Sequence, residues 1–378
     1  MADQMIKLHL VAAIIDGTFY QNKLLWKTLM IDLQNKVIHA DSLQHLKTLE
    51  DNIFDSCVTD PPYHLQSIVK RFTKGPEAKH GKDGSFNRLS KGFMGQEWDG
   101  GDIAFTKEFW EQVYRVLKPG SVLLAFAATR NYHRMATAIE DSGFEIFDMI
   151  NWIYGSGFPK RKNLLKPAHE PILMARKGVN RNLNLDECRV PLNDNDDINN
   201  WVGNRKKKTI LGKNVYNLGI KQITAKQNEK GRYPANVIHD GSDEVLKTFQ
   251  KFGVDKGAKA PVKKSKGSFH FYEHEFKQRG DDGASFNGDV GDASRFFYCA
   301  KATKKEKGDS EHPTVKPLNL IKYLVKLITP VNGIVLDPFA GTGTTGEAAL
   351  LEDRKYYLIE KTEKYLKDIH NRVNKAIL

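Results

Sequence analysis

Cysteine is scarce in this 378-residue chain: Cys57, Cys188 and Cys299 lie far apart and form no CxxC pair. That excludes a disulfide-stapled framework and a cysteine-rich zinc site, and leaves buried or incidental thiols in a reducing compartment. Long apolar runs are missing too. A membrane-spanning helix needs about 18 or more consecutive apolar residues, and no stretch supplies them. The early segment HLVAAII is short, and DGTFYQNK follows it in place of a small-residue cleavage site, so no signal peptide is expected. These absences predict a cytoplasmic protein. Metal-ligand rhythm is also lacking. His270 and His274 stand four apart without a third donor, and they read as surface histidines with no metal implied.

Basic residues, by contrast, are plentiful and unevenly placed. The formal net charge is +12, and residues 161–275 hold 23 Lys and Arg against 13 Asp and Glu. Most of the excess therefore falls in the middle third. A basic face of this kind suits a polyanion, with a solvated lysine-rich surface as the plain alternative.

The rhythm outside that region is α/β. Residues 1–29 read as an N-terminal extension, with Met30 a natural opening. Segments 36–40 (KVIHA) and 54–60 (FDSCVTD) have strand character, with the short helical pattern LQHLKTLE between them. A polar, Gly- and Lys-rich stretch from residue 63 to about 101 is too long for an ordinary connection and reads as a functional loop. Residues 106–120 (TKEFWEQVYRVLKPG) predict a helix stopped by Pro119-Gly120. SVLLAFAA predicts a buried strand, RNYHRMATAIEDSG a helix, and FEIFDMINWIY and EPILMAR two further strands. Alternation of this sort implies a mainly parallel sheet covered on both faces. From about 178 to 295 Asn, Lys, Gly and Asp dominate and periodicity fades, which predicts an irregular basic insertion. Regular order returns over 296–378.

GIVLDPF (333–339) predicts a strand, and Gly341-Thr342-Gly343-Thr344-Thr345-Gly346 opens the helix after it. The letters match G-x-G-x-x-G, and Glu360 ends the next strand 19 residues after Gly341. Glycines allow a tight turn and close approach to a ligand, while an acid at that point can hold ribose hydroxyls. Two departures separate it from a dinucleotide site. Asp337 at the strand tip would repel a pyrophosphate but attract a cationic ligand. Only 32 residues follow Gly346, room for one more strand and helix, so the remaining strands must come from the N-terminal half. The chain then wraps round, FDSCVTD pairs beside GIVLDPF, and TDPPY (59–63) faces DPFAGTG across one crevice at the carboxyl ends of the strands.

DPPY early, HPTVKP and DPFAGTGTTG late, and a basic stretch between them resemble the S-adenosylmethionine-dependent DNA amino-methyltransferases. The order, catalytic motif before cofactor motif, is similar to their β group. The resemblance spans residues 30–378 and includes GFMGQEWDG, NWIYGSGFPKRKN, KPAHEPILMAR and RYPANVI. It implies a Rossmann-like, seven-stranded, mainly parallel methyltransferase sheet with circularly permuted motif order. Residues 30–177 would form the catalytic half, 178–295 an irregular target-recognition insertion, and 296–378 the cofactor-binding half.

The resemblance also implies roles. An exocyclic amino nitrogen is a poor nucleophile because its lone pair is delocalised into the ring. Acceptors that grip its N–H groups localise that pair and aim it at the sulfonium methyl. The Asp60 carboxylate and the Pro61 carbonyl would be those acceptors, Pro61 and Pro62 would hold the turn rigid, and Tyr63 would stack on a base taken out of the duplex. Asp337, Phe339, Gly341, Gly343 and Thr344 would surround the methionine part of S-adenosylmethionine, with Glu360 on its ribose. Thr314 and Lys316 of HPTVKP would line the methionine carboxylate. Asp41 is either an adenine-side contact or the N-cap of the helix after it. Phe93 and Trp98 would pack near the cofactor or close the loop, with membership of the core as the plain alternative.

Asp at the head of the tetrad points to adenine N6, although His64 departs from the Asn common after DPPY in adenine enzymes, and cytosine N4 stays open. Double-stranded DNA is the implied substrate, and a homodimer and a cognate restriction enzyme are the protein partners that the resemblance admits. Two other readings use part of the same signal: a nicotinamide dehydrogenase built on GTGTTG, and a DNA-binding relative without catalysis. A protein-glutamine methyltransferase would more usually present NPPY.

Overall fold

The computed structural model describes residues 33–62, 102–155, 165–178, 183–191, 230–251, 293–300 and 315–377. Nine strands form one sheet among these residues: β1 Lys36–His39, β2 Phe54–Thr59, β3 Leu117–Phe126, β4 Glu145–Ile153, β5 His169–Arg176, β6 Val237–His239, β7 Tyr298–Cys299, β8 Ile334–Asp337 and β9 Lys355–Glu360. The helices between them are α1 Ser42–Leu46, α2 Lys107–Val116, α3 Tyr132–Asp141, α4 Asp243–Gln250, α5 Leu318–Ile328, α6 Thr344–Leu351 and α7 Glu363–Ile377.

The spatial order is β1-β9-β8-β2-β3-β5-β4-β6-β7. β2 lies parallel to β8, with Ser56 opposite Val335 and Cys57 opposite Leu336, so the two ends of the chain close one sheet as the wrapped topology requires. Every pairing is parallel except those of β5, which runs against both β3 and β4. That single reversal matters for the site. Parallel strands bring their carboxyl ends to the crevice rim, whereas β5 brings its first residues there: Ile172 pairs with Phe126, the last residue of β3.

Strand alternation sorts the core into two layers. Val122, Leu124 and Phe126 pack with Leu320, Leu324 and Ile328 of α5 and with Ala348 of α6. Leu123 and Ala125 turn the other way, against Phe109, Trp110 and Val113 of α2 and Met135 and Ile139 of α3. A central sheet with both faces buried follows directly, and explains why β2 reads as an unbroken buried run.

Three expectations change. The sheet has nine strands where seven were expected, because two short edge strands, β6 and β7, extend it beyond β4. Residues 178–295 are not irregular throughout, since β6 and α4 lie inside them. The helix expected to reach Pro119-Gly120 ends at Val116: Leu117 already pairs with Phe54, and Gly120 takes φ +80° within the strand. No helix among the described residues is long and apolar enough to cross a membrane.

Candidate active site

The parallel ends of β2 and β8 set two acidic motifs side by side. Thr59, the last residue of β2, donates from Oγ1 to Asp337 Oδ1 at 2.9 Å, across 278 positions of sequence. Asp337 ends β8 and is 4% exposed. Its carboxylate also accepts from Phe339 N at 3.1 Å and from Thr345 Oγ1 at 2.6 Å. Burial outweighs these bonds, and with the neighbouring Asp60 charge it lifts the Asp337 carboxyl from 3.8 to about 6. A carboxylate kept this dry at a strand tip is a fixed local charge for a cationic ligand.

The glycine loop is tied to β9 by the same economy. Glu360 accepts from Gly341 N at 2.8 Å and from Thr362 N at 2.7 Å, and burial raises its carboxyl despite both bonds. Gly343 sits at φ +81° as the residue before α6, and a Cβ there would lie 3.0 Å from Ile369 Cα. Only glycine meets both conditions. Asp41 is the N-cap of α1, accepting from Gln44 N at 3.2 Å, and it pairs with Lys361 at 3.0 Å. Burial pushes the Asp41 carboxyl up, but these partners outweigh it and hold it below its ordinary value. Ser42 Oγ donates to the Pro338 carbonyl, which fastens α1 to the loop after β8.

One cavity of about 890 Å³ joins these parts. Asp60, Pro62, Asp337, Phe339, Gly341 and Glu360 line it, and Asp41, Lys316 and Thr344 also reach it. Pro61 is buried beside Asp60. Gly343 is not among the lining residues; it is the left-handed turn from which α6 starts. Tyr63, Thr314, His64, Phe93, Trp98, His270 and His274 lie outside the described residues.

Asp60 carries the most distinctive feature. Its Oδ2 stands 2.9 Å from Lys316 Nζ, while its Oδ1 is buried with no hydrogen-bond partner among the described residues. A buried acceptor left open costs free energy, so an unmatched carboxylate oxygen in a cavity marks the place of a donor. Lys316 Nζ also donates to Glu170 Oε2 at 2.8 Å and stands 4.7 Å from the centre of the Phe126 ring. Neither Glu170 nor Thr59 emerges as a site residue from the sequence. The available signal was the Glu in KPAHEPILMAR and the Thr that opens TDPPY, but each needs strand direction and pairing to acquire a partner. No group of three or more His, Cys, Asp or Glu among the described residues could hold a metal ion.

Comparison with known proteins identifies the family of the chain. The DNA methylase family, of N6 and N4 type, matches residues 54–371. The type II methyltransferase M.HindIII of Haemophilus influenzae is 27% identical over 343 residues, which cover 86% of this chain and 90% of that protein. The type II methyltransferase M2.LlaDCHI of Lactococcus lactis subsp. cremoris is 24% identical over 341 residues, covering 90% and 89%. Among solved structures, the M1.HpyAVI–SAM complex aligns at TM-score 0.43 and 18% identity, over 90% of this chain and 98% of that one.

Proposed function

Because the chain belongs to the β-group N6/N4 DNA methylase family and so uses S-adenosylmethionine, we propose that it methylates the exocyclic N6 amino group of an adenine flipped out of duplex DNA. The observation that carries this reading is the Asp60 carboxylate, with one oxygen held by Lys316 and the other buried and open in the cavity that Asp337 and the glycine loop share.

The cavity suits the donor. Asp337 supplies negative charge for its cationic methionine end, Phe339, Gly341 and Thr344 surround that end on the loop that the Gly343 turn shapes, Glu360 takes the ribose, and Asp41 marks the adenine side. Bound there, S-adenosylmethionine supplies an electrophilic methyl on a sulfonium. The rest falls to the chain. Asp60 Oδ1 and the Pro61 carbonyl each accept one N–H of the target amino group, which draws its lone pair out of the ring and aims it. Pro61 and Pro62 fix the backbone that carries both acceptors. Tyr63 stacks on the extruded base, replacing contacts worth about 1–3 kcal/mol. The proton shed by the methylated nitrogen leaves along its hydrogen bond to Asp60 Oδ1 and passes to water. Residues 178–295 supply the basic surface for the DNA backbone and the contacts that choose the sequence. The Asp that heads the tetrad supports adenine over cytosine.

Incubation with labelled S-adenosylmethionine and mixed-sequence DNA, followed by nucleoside mass spectrometry, tests the reading. N6-methyladenine is expected. N4-methylcytosine would move the proposal to the other base, and unlabelled DNA under conditions where the cofactor binds would overturn it. Asp60→Ala should abolish transfer while cofactor affinity stays near that of the wild type.

A further inference from the structure

We infer that Glu170 is a positioning residue for methyl transfer, acting through Lys316 on the Asp60 carboxylate; this rests on the function proposed above. Glu170 reaches the rim only because β5 is reversed, so that its second residue stands where the parallel strands end. There Lys316 Nζ bridges Glu170 Oε2 at 2.8 Å and Asp60 Oδ2 at 2.9 Å, with the Phe126 ring on a further side. The three side chains are only 10%, 23% and 25% exposed for Lys316, Glu170 and Asp60, so water screens these contacts incompletely.

Two consequences follow from this arrangement. An ammonium held by one carboxylate alone can swing between that group's two oxygens. The second carboxylate and the ring pin it at Oδ2, and Oδ1 is the oxygen left open. Charge sharing is the second effect. With two carboxylates around one ammonium, the trio keeps a net negative charge, and Asp60 remains a strong acceptor. Without Glu170, Lys316 would neutralise Asp60 and weaken its grip on the amino N–H groups. Tyr154, on the chain just after β4, stays neutral beside the trio: burial, reinforced by the Glu170 charge, pushes its hydroxyl up to about 12. It therefore adds no charge of its own.

The test is Glu170→Gln, which keeps the shape and an acceptor oxygen but removes the charge. Losing one charge-assisted contact predicts a fall in kcat of about 10- to 100-fold. The KM for DNA and the Kd for S-adenosylmethionine should stay within about twofold, because the contact is tightened only as the amino group reacts. On a Lys316→Met background the same change should cost nothing further, since its effect passes through the lysine. A readout independent of turnover is the 15N-labelled Lys316 ammonium, assigned by its loss in Lys316→Arg. Its protons should be protected from exchange in the wild type and exposed in Glu170→Gln. An unchanged kcat, an equal loss on the Lys316→Met background, or a loss expressed in cofactor Kd would overturn the inference. A wild type that binds cofactor yet never labels DNA would overturn the function beneath it, and the ammonium signal then tells whether the bridge itself exists.

Discussion

Asp337 should make the fold less stable at neutral pH than below pH 4, and the same cost should be returned when the cofactor binds. Its carboxyl rises from 3.8 to about 6 because it is buried, and the three hydrogen bonds from Thr345, Phe339 and Thr59 only partly compensate. Between those two values the folded chain binds more protons than the unfolded one. The contribution of this group to stability is thus complete below 3.8 and is lost as pH rises through about 6. A shift of roughly two units corresponds to about 3 kcal/mol. Asp337→Asn removes the titration while leaving an oxygen for Thr59 and Phe339. Against that variant, wild-type Tm should be relatively lower at pH 8 than at pH 4, by about 3–6 °C. A cationic ligand reverses the effect, since it favours the ionised carboxylate. S-adenosylmethionine binding at pH 6 should therefore release about half a proton, read by calorimetry in two buffers of different ionisation enthalpy. Its affinity should fall below that pH, and Asp337→Asn should bind weakly throughout. A Tm gap between wild type and variant that stays flat across this range, together with no proton release, would show that Asp337 is not the buried charge described.

Gly343→Ala should lower unfolding free energy by about 2–4 kcal/mol in urea titrations, combining a left-handed φ with a Cβ driven into Ile369. A loss below about 1 kcal/mol would mean that α7 moves aside easily. Thiol labelling of the folded protein should show one fast equivalent of three, from exposed Cys299. Cys57 is fully buried and its thiol is pushed far up by that burial, and Cys188 rises to about 12 for the same reason, so both should react only in denaturant. A second fast thiol would contradict the central place of β2 or the packing beneath α5.

Residue pattern and strand counting carry most of the fold. Two strands alone make a marginal sheet, so GIVLDPF needed a neighbour from the other end of the chain, and FDSCVTD was the buried run able to serve. What stays hidden is whatever depends on direction. The periodicity of EPILMAR is the same whether the strand runs with or against its neighbours, and only reversal carries Glu170 to the rim. The end of α2 departs from the sequence pattern for a related reason. Pro119-Gly120 looks like a stop, yet pairing of Leu117 with Phe54 captures the chain first, and that long-range contact leaves no local trace. Strands β6 and β7 run three and two residues, too short for any alternation to register. Asp41 shows the opposite case, in which both readings of one residue are compatible: it caps α1 with one oxygen, pairs Lys361 with the other, and still lines the cavity. The same logic applies to Lys316. Its motif marks it as a site residue, but its partners, Asp60 and Glu170, are 256 and 146 positions away, and the direction of one strand decides that the second of them is there.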